Sequence, residues 1–377
     1  MRNNNVVFRK ILRHIILIIN IGFVVLMLVS GLARYFNPAK YTLIAITGLG
    51  FPILLIINVI FAAGWLIARR FYCLISLVPI LLFMFRHIDF GNGGRHTPST
   101  EKFRVMTYNS HGTGYSYWPN QIKTMEEMVD FIHSRSADIV CIQEFASGKN
   151  DMPAERMLQK EYGYAHVAMA APNWMRGDIR NGIATFSRFP IVAKHNIESS
   201  KGGNTFLLTD VLIGTDTVRI INCHLQSNRF SEGEYEFIED MNSFNAGVYK
   251  KTEMDQKLDG VRSVLARMQK AYKWRVKQTE KLTKLIEESP YPTFLCGDFN
   301  DTPSSYVYRK VSRRMHDSHR IADFGWHNTY RRFWPGLRID YIMYNGALRC
   351  CDHNVPAYDV SDHRPVEAEF FIAKPKN

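Results

Sequence analysis

Cysteine is scarce in this sequence and forms no pattern. The 377 residues hold six. Cys73 sits in a long apolar stretch, and Cys141, Cys223 and Cys296 each lie inside short apolar runs, where they read as small buried hydrophobes. Cys350 and Cys351 are adjacent, where a mutual bridge would be strained. This excludes a disulfide framework, and neither Cys-x-x-Cys nor His-x-x-x-His spacing marks a zinc site. Acid is nearly missing from residues 1–100, which hold Asp89 against ten Lys/Arg, whereas residues 101–377 hold 34 acids and 37 bases. The net charge of +12 therefore does not describe a uniformly basic soluble binder, because most of the excess lies in an otherwise very apolar segment. Internal repeats and low-complexity tracts are lacking too. A chain that is 46% hydrophobic and 13% aromatic is not disordered.

Long uncharged runs are what the first hundred residues do have. Ile15–Ala33, Tyr41–Ala68 and Phe71–Phe85 contain 19, 28 and 15 residues. A helix needs about 20 residues to cross about 30 Å of hydrocarbon, so the first two qualify and the third, which contains Pro79, is short. The reading is a membrane region over residues 1–90 with three spans, or with two spans and an interfacial segment. The first run follows Arg9, Lys10 and Arg13, as in a signal peptide, but it is long for one and has no clear small-x-small cleavage site before the next run. The N-terminal bases and the Arg69–Arg70 pair favour the cytoplasmic side. Three spans then leave the rest of the chain outside the cytoplasm, and two leave it inside.

Residues 91–100 read as a flexible linker, and residues 101–377 are enough for one large domain. Strand-length apolar runs recur there: Phe103–Tyr108, Ile139–Ile142, Gly182–Phe186, Phe206–Ile213, Val218–Ile221, Thr293–Cys296, Ile339–Tyr344 and Glu367–Ile372. Helical patterns fall at Gln121–Ser134, Asp151–Tyr162, Gly260–Glu288 and Pro303–Ser312, the last with Thr302 as N-cap. Segment 227–259 reads as a long acidic loop. The eight Lys/Arg between Arg262 and Lys284 form either a solvated helix face or a patch for anionic lipid or nucleic acid.

Several strand-like runs end on groups that are costly to bury unpaired: Asn109, Glu144, His224, Asp298 with Asn300, and, beside two more runs, Asp340 and Asp362-His363. Six such clusters suggest one site where strand ends converge. Carboxylates with an amide oxygen suit a hard cation such as Mg²⁺, and two imidazoles add donors for anionic oxygens. That set fits attack of water on a phosphorus ester.

These residues lie in an ordered motif series. It runs Val105-Met106-Thr107-Tyr108-Asn109, Asp138-Ile139-Val140-Cys141-Ile142-Gln143-Glu144, Gly182-Ile183-Ala184-Thr185-Phe186-Ser187-Arg188-Phe189-Pro190-Ile191 and Asn222-Cys223-His224-Leu225. It continues with Gly297-Asp298-Phe299-Asn300-Asp301-Thr302-Pro303, Arg338-Ile339-Asp340-Tyr341-Ile342 and Ser361-Asp362-His363-Arg364-Pro365. In this the chain resembles the endonuclease/exonuclease/phosphatase (DNase I-like) superfamily, and with its spans it is similar to membrane-anchored bacterial members. The resemblance implies an α/β fold, a four-layer α/β sandwich, preceded by the transmembrane helices. It implies a metal-dependent phosphoesterase using Mg²⁺, with Mn²⁺ as the alternative. Glu144 would be the principal metal ligand, with Asn109 and Asp362 completing the neighbourhood. Asp298 would orient or deprotonate the attacking water, Asn300 would contact the phosphate, His224 would donate to the phosphate or protonate the leaving oxygen, and His363 would bind a phosphate oxygen with its ring held by Asp340. Arg338 belongs to a basic, aromatic stretch with Arg331, Arg332 and Trp334 that forms either a substrate-binding rim or a solvated loop. His111 either touches substrate or stabilises the turn after Asn109, with the turn as the preferred reading. The implied partners are a phosphate-ester substrate, either nucleic acid or a phospholipid headgroup, and the lipid bilayer.

Overall fold

The computed structural model describes residues 2–86, 89–90, 101–112, 121–147, 153–176, 179–199, 205–230, 233–234, 251–358 and 360–374. The expected linker 91–100 lies outside the described residues, as do residues 231–232 and 235–250 of the expected loop.

Twelve strands build two sheets. In chain order they are β1 (Phe103–Asn109), β2 (Ile139–Ser147), β3 (His166–Arg176), β4 (Ile179–Ser187), β5 (Ile191–Glu198) and β6 (Thr205–Ile213). There follow β7 (Asp216–His224), β8 (Thr293–Asp298), β9 (His316–Asp317), β10 (Asp340–Tyr344), β11 (Leu348–Asn354) and β12 (Val366–Ile372). One sheet runs β11-β12-β1-β2-β4-β3 and the other β9-β10-β8-β7-β6-β5. Each has one parallel pair, β1–β2 and β7–β8, flanked by antiparallel neighbours.

Period-two alternation explains the layering. Phe103, Val105, Ile139 and Cys141 of one sheet meet Val218, Ile220, Phe294, Cys296 and Ile342 of the other in the central core. The residues between them face outward. Met106, Tyr108, Val140 and Ile142 pack against Met125, Met128, Val129 and Ile132 of a helix over Gln121–Ser134. On the far side Ile221, Leu295, Tyr341 and Met343 pack against Leu282 and Ile286 of a helix over Lys251–Glu287, and against Val307 and Val311 of one over Tyr306–Ser312. The result is the expected four-layer α/β sandwich.

Two helix boundaries differ from expectation. The long basic helix begins at Lys251, inside the segment read as a loop. The helix expected from Pro303 begins at Tyr306, because the Ser305 hydroxyl, not Thr302, caps it by accepting from the Tyr308 N–H.

The N-terminal residues form α1 (Arg2–Leu32), α2 (Thr42–Leu49), α3 (Phe51–Ile67) and α4 (Cys73–Phe83). Val6–Tyr35 is long and apolar enough to cross a bilayer. The run expected as a second span is broken at Gly50, and α2 and α3 meet at 63°. Pro52 in the first turn of α3 has no N–H to continue α2, which is the local cause. The third run yields eleven helical residues with Pro79 inside, about 16 Å at 1.5 Å per residue. Buried polar groups tie these helices together: Asn20 Nδ2 donates to Ser76 Oγ (2.6 Å) and Trp65 Nε1 donates to Asn20 Oδ1 (3.0 Å). The Thr302 hydroxyl donates to the Gly48 carbonyl (3.5 Å), so the turn after β8 rests on α2.

Candidate active site

The two parallel pairs bring four C-terminal strand ends to one edge of the sandwich, and the antiparallel neighbours bring two strand entries to the same edge. Asn109 ends β1, Glu144 lies near the end of β2, His224 ends β7 and Asp298 ends β8. Asp340 opens β10 opposite Asp298, and His363 precedes β12, whose first residue pairs with Thr107.

A bulge aims Glu144. Gln143 keeps the alternation and points between the sheets, where its Nε2 donates to Asn222 Oδ1 (2.8 Å). The next residue should then face the outer helix. Instead the pairing with β4 jumps from Gln143 to Phe145, and Glu144 takes a positive φ of 52°. The Ser110 hydroxyl donates to the carbonyls of Gln143 (3.1 Å) and Glu144 (3.2 Å), bracing the bulge.

The turn after β8 is equally constrained. Gly297 has φ 140°, and a Cβ there would lie 1.8 Å from the Cys223 carbonyl oxygen, so only glycine lets β8 approach β7 this closely. Asp298 Oδ1 accepts from the Asn300 N–H (2.6 Å), with Asn300 at φ 51°. Asn300 Nδ2 donates to Asp298 Oδ2 and to the Leu225 carbonyl, both at 3.1 Å.

Asp298 Oδ2 is where the groups converge. Asn109 Nδ2 donates to it (3.1 Å), His224 Nε2 lies at 3.6 Å and His363 Nε2 at 3.9 Å. Asn109 Nδ2 is also 3.5 Å from Glu144 Oε1, and His224 Nε2 is 3.8 Å from the same oxygen. His363 Nδ1 lies 2.9 Å from Asp340 Oδ2, which orients the ring. Asp340 is placed by its own N–H donating to the Thr329 hydroxyl (3.1 Å), and His363 by its N–H donating to Ser361 Oγ (3.1 Å). His111, at φ 48°, does make the expected turn, but its ring also enters the site. Its Nδ1 lies 3.5 Å from Asp362 Oδ1 and 4.0 Å from Glu144 Oε2.

Burial sets the electrostatics. Asp298 is 1% exposed, and burial with Asp340 nearby raises its carboxyl to about 6 against the pull of His363 and His224. Burial works to lower the His363 imidazole, but the charge and hydrogen bond of Asp340, with Asp298 behind it, outweigh that and raise it to about 10. Glu144 and Asp362 are more open, at 27% and 28% side-chain exposure, so carboxylate oxygens line the mouth while the buried carboxylates lie beneath. Asp340 Oδ1 is buried with no hydrogen-bond partner among the described residues. An oxygen-rich set with an unspent buried acceptor suits a hard cation. Asn109 departs from a ligand's pose, since its NH₂ faces the carboxylates while its Oδ1 accepts from the His111 N–H (3.1 Å).

Arg338 is a correction. It lies neither on an open rim nor in a solvated loop. Its guanidinium is buried, donates to Asp317 Oδ2 (2.7 Å) and lies 4.9 Å over the Tyr341 ring. Burial works to raise the Asp317 carboxyl, but Arg338 and its hydrogen bonds hold it below the ordinary value. One residue the sequence reading left in a basic run belongs to the site's foundation. Arg275 is 1% exposed, donates to the Asn300 carbonyl and to Asn228 Oδ1 (2.8 Å), and lies 3.8 Å from Asp301 Oδ2. Nothing local separates it from its seven solvated-looking neighbours. Thr329 was missed for the same reason, whereas Gln143 and Asn222 lay within quoted motifs without a role.

Residues 106–363 match the model of the Endonuclease/Exonuclease/phosphatase family, and residues 13–88 match that of a domain of unknown function. No curated protein matches the chain. Solved structures that resemble it include an endonuclease/exonuclease/phosphatase from Beutenbergia cavernae DSM 12333, with 18% identity, TM-score 0.50 and 72% of each chain covered. The human Nocturnin catalytic domain with bound sulfate gives 17% identity and TM-score 0.49 over 76% of this chain and 96% of that one. An endonuclease/exonuclease/phosphatase family protein from Bacteroides thetaiotaomicron gives 16% and 0.48 over 73% and 100%. At these identities the likeness concerns the fold.

Proposed function

The chain belongs to the endonuclease/exonuclease/phosphatase family, and from that premise we propose that it is a divalent-cation-dependent hydrolase of phosphate esters held at a bilayer by its N-terminal helices. The observation that carries this reading is the convergence of Asn109, His224, His363 and Asn300 on the buried Asp298 carboxylate, with Glu144 alongside.

Asp298 orients the attacking water and takes its proton, a role suited to a carboxyl raised to about 6. Asn109 and Asn300 fix the carboxylate through their amide N–H groups. His363, protonated at neutral pH and held by Asp340, donates to a non-bridging phosphate oxygen, and His224 donates beside it. Glu144, with Asp362, would hold Mg²⁺ or Mn²⁺, which would polarise the phosphoryl group and steady the leaving oxygen, while the Asn109 amide serves the carboxylates instead of the cation. Full-length protein in detergent, supplied with Mg²⁺, is assayed on plasmid DNA, RNA, phospholipid vesicles and a soluble phosphodiester. Turnover of at least one substrate, lost by orders of magnitude in Asp298→Ala, is expected. No turnover of any ester, or an active Asp298→Ala, refutes the proposal.

One observation favours a membrane-lipid phosphate ester over nucleic acid. An apolar cavity of about 300 Å³ adjoins Asn300 and is lined by Leu49 and Ile53 from the broken helix pair, with Met268, Phe333 and Trp334. A lipid tail fits such a lining, and the nearly balanced charge of residues 101–377 offers no strong grip on a polyanion. Filling the cavity with Ile53→Trp should lower turnover of vesicle lipid more than that of the soluble diester; equal effects refute this reading. A reporter fused after residue 377 reads which side of the membrane the domain faces.

A further inference from the structure

A second cluster of ligand-type side chains shares no residue with the catalytic centre. His319, Asp323 and His327 recur at four-residue intervals, beginning in the short helix Ser318–Ala322. His327 Nε2 lies 3.3 Å from Asp323 Oδ2, and His319 Nε2 lies 3.9 Å from the same oxygen. All three ligand atoms fall within 4.8 Å of one another. His319 is fully buried and the other two are half-buried. Asp323 uses Oδ1 to accept from the Phe324 N–H (2.7 Å), but Oδ2, the oxygen facing both imidazoles, is buried with no hydrogen-bond partner among the described residues. Beside the cluster the buried His353 packs edge-on to His319 with ring centroids 5.1 Å apart, and its Nε2 likewise has no hydrogen-bond partner among the described residues.

Two imidazoles aimed at one carboxylate oxygen at 3.3 and 3.9 Å, without hydrogen-bond geometry, suit a common partner lying between them. Ligands held tetrahedrally at about 2.0–2.1 Å from zinc lie about 3.3–3.4 Å apart. Two imidazole nitrogens and one carboxylate also favour a first-row metal over the hard cation of the catalytic centre. In the sequence the set lacks a zinc-motif spacing, because an aspartate, not a histidine, stands at the four-residue step.

We propose that His319 Nε2, Asp323 Oδ2 and His327 Nε2 bind a zinc-class divalent cation. Its place gives it a structural task. Phe324 and Gly325 pair with Phe90 and Asp89, and Trp326 packs on the helix cluster of Met27, Phe51, Leu55 and Phe83. Arg320 donates to the Phe85 carbonyl (3.5 Å). The cation pins the segment through which the sandwich meets the apolar helices.

The test uses full-length protein without a histidine tag, purified in detergent and kept in excess Mg²⁺. Elemental analysis should give one zinc per chain, retained in Glu144→Ala and Asp298→Ala and lost in His327→Ala. In the zinc-free protein Co²⁺ should give the visible absorption of a tetrahedral site, displaced by zinc. Should His327→Ala fail to fold, His327→Cys keeps a ligand and should add a sulfur-to-cobalt charge-transfer band that wild type lacks. Four outcomes overturn the proposal: no zinc or cobalt bound, as when Asp323 simply pairs with a protonated histidine; zinc unchanged in His327→Ala, which would place it elsewhere; zinc lost in Asp298→Ala; or no new band in His327→Cys.

Discussion

Replacing Arg275 with methionine should damage the turn that carries Asp298 and Asn300, although Arg275 touches no substrate. The side chain is 1% exposed, donates to the Asn300 carbonyl and to Asn228, and faces Asp301 at 3.8 Å. Methionine keeps much of the volume and removes the charge. Breaking a buried ion pair from one side costs about 3–5 kcal/mol, because the remaining charge is left without compensation. Asp301 can limit that loss by taking a proton. Burial already raises its carboxyl to about 6, with Arg275 working to lower it, so the variant's carboxyl must sit higher still. The raised carboxyl disfavours the folded state as pH rises, until it ionises there. Wild type therefore stops losing stability to Asp301 above about pH 6, whereas Arg275→Met goes on losing it. The deficit should be constant below pH 6 and grow by about 1.4 kcal/mol per pH unit above it. Urea unfolding of full-length protein in mild detergent, followed by tryptophan fluorescence from pH 5.5 to 8, measures this. A deficit under about 1 kcal/mol, or one independent of pH between 6 and 8, refutes the reasoning.

Three further outcomes are expected. Gly297→Ala places a Cβ 1.8 Å from the Cys223 oxygen, so it should cost more than about 4 kcal/mol or give no folded protein; a wild-type unfolding midpoint would refute the close approach of β7 and β8. Arg338→Met should destabilise by about 3–5 kcal/mol while leaving the KM of the surviving enzyme unchanged; a raised KM at full stability would return Arg338 to the substrate rim. The His363 imidazole, raised to about 10 from its ordinary 6.5, adds stability that is complete below pH 6.5 and lost as pH climbs through 10. Unfolding midpoints from pH 6 to 10 should therefore fall more steeply for wild type than for Asp340→Asn, which lacks the carboxylate that holds the proton; parallel profiles would count against the pairing.

The eight interior strands were legible because each carries the nearly continuous apolar run that two buried faces impose. The four that were missed, β3, β5, β9 and β11, are the outermost strands of the two sheets. An outer strand is wetted along one side, and β5, with no buried residue, reads as Ile191-Val192-Ala193-Lys194-His195-Asn196-Ile197-Glu198, a pattern no different from a loop. The strand-end residues were legible as well, since a carboxylate closing a buried run needs a partner. Which partner it finds depends on pairing between segments far apart in the chain. Arg338 therefore lies elsewhere than expected: it stands two residues before Asp340, yet its guanidinium turns inward to Asp317.

The sequence by itself determined the layered sandwich, the apolar N-terminal helices and the set of chemical groups at the strand ends. Periodicity and side-chain type are local properties, and burial acts on them residue by residue. Only the tertiary structure decided the bulge that turns Glu144 into the site and the burial of Arg275 beneath Asn300. It also decided that His319, Asp323 and His327 share one focus. Each of these depends on where distant segments lie in space, and the strand pairing and helix packing that place them follow from the whole chain at once.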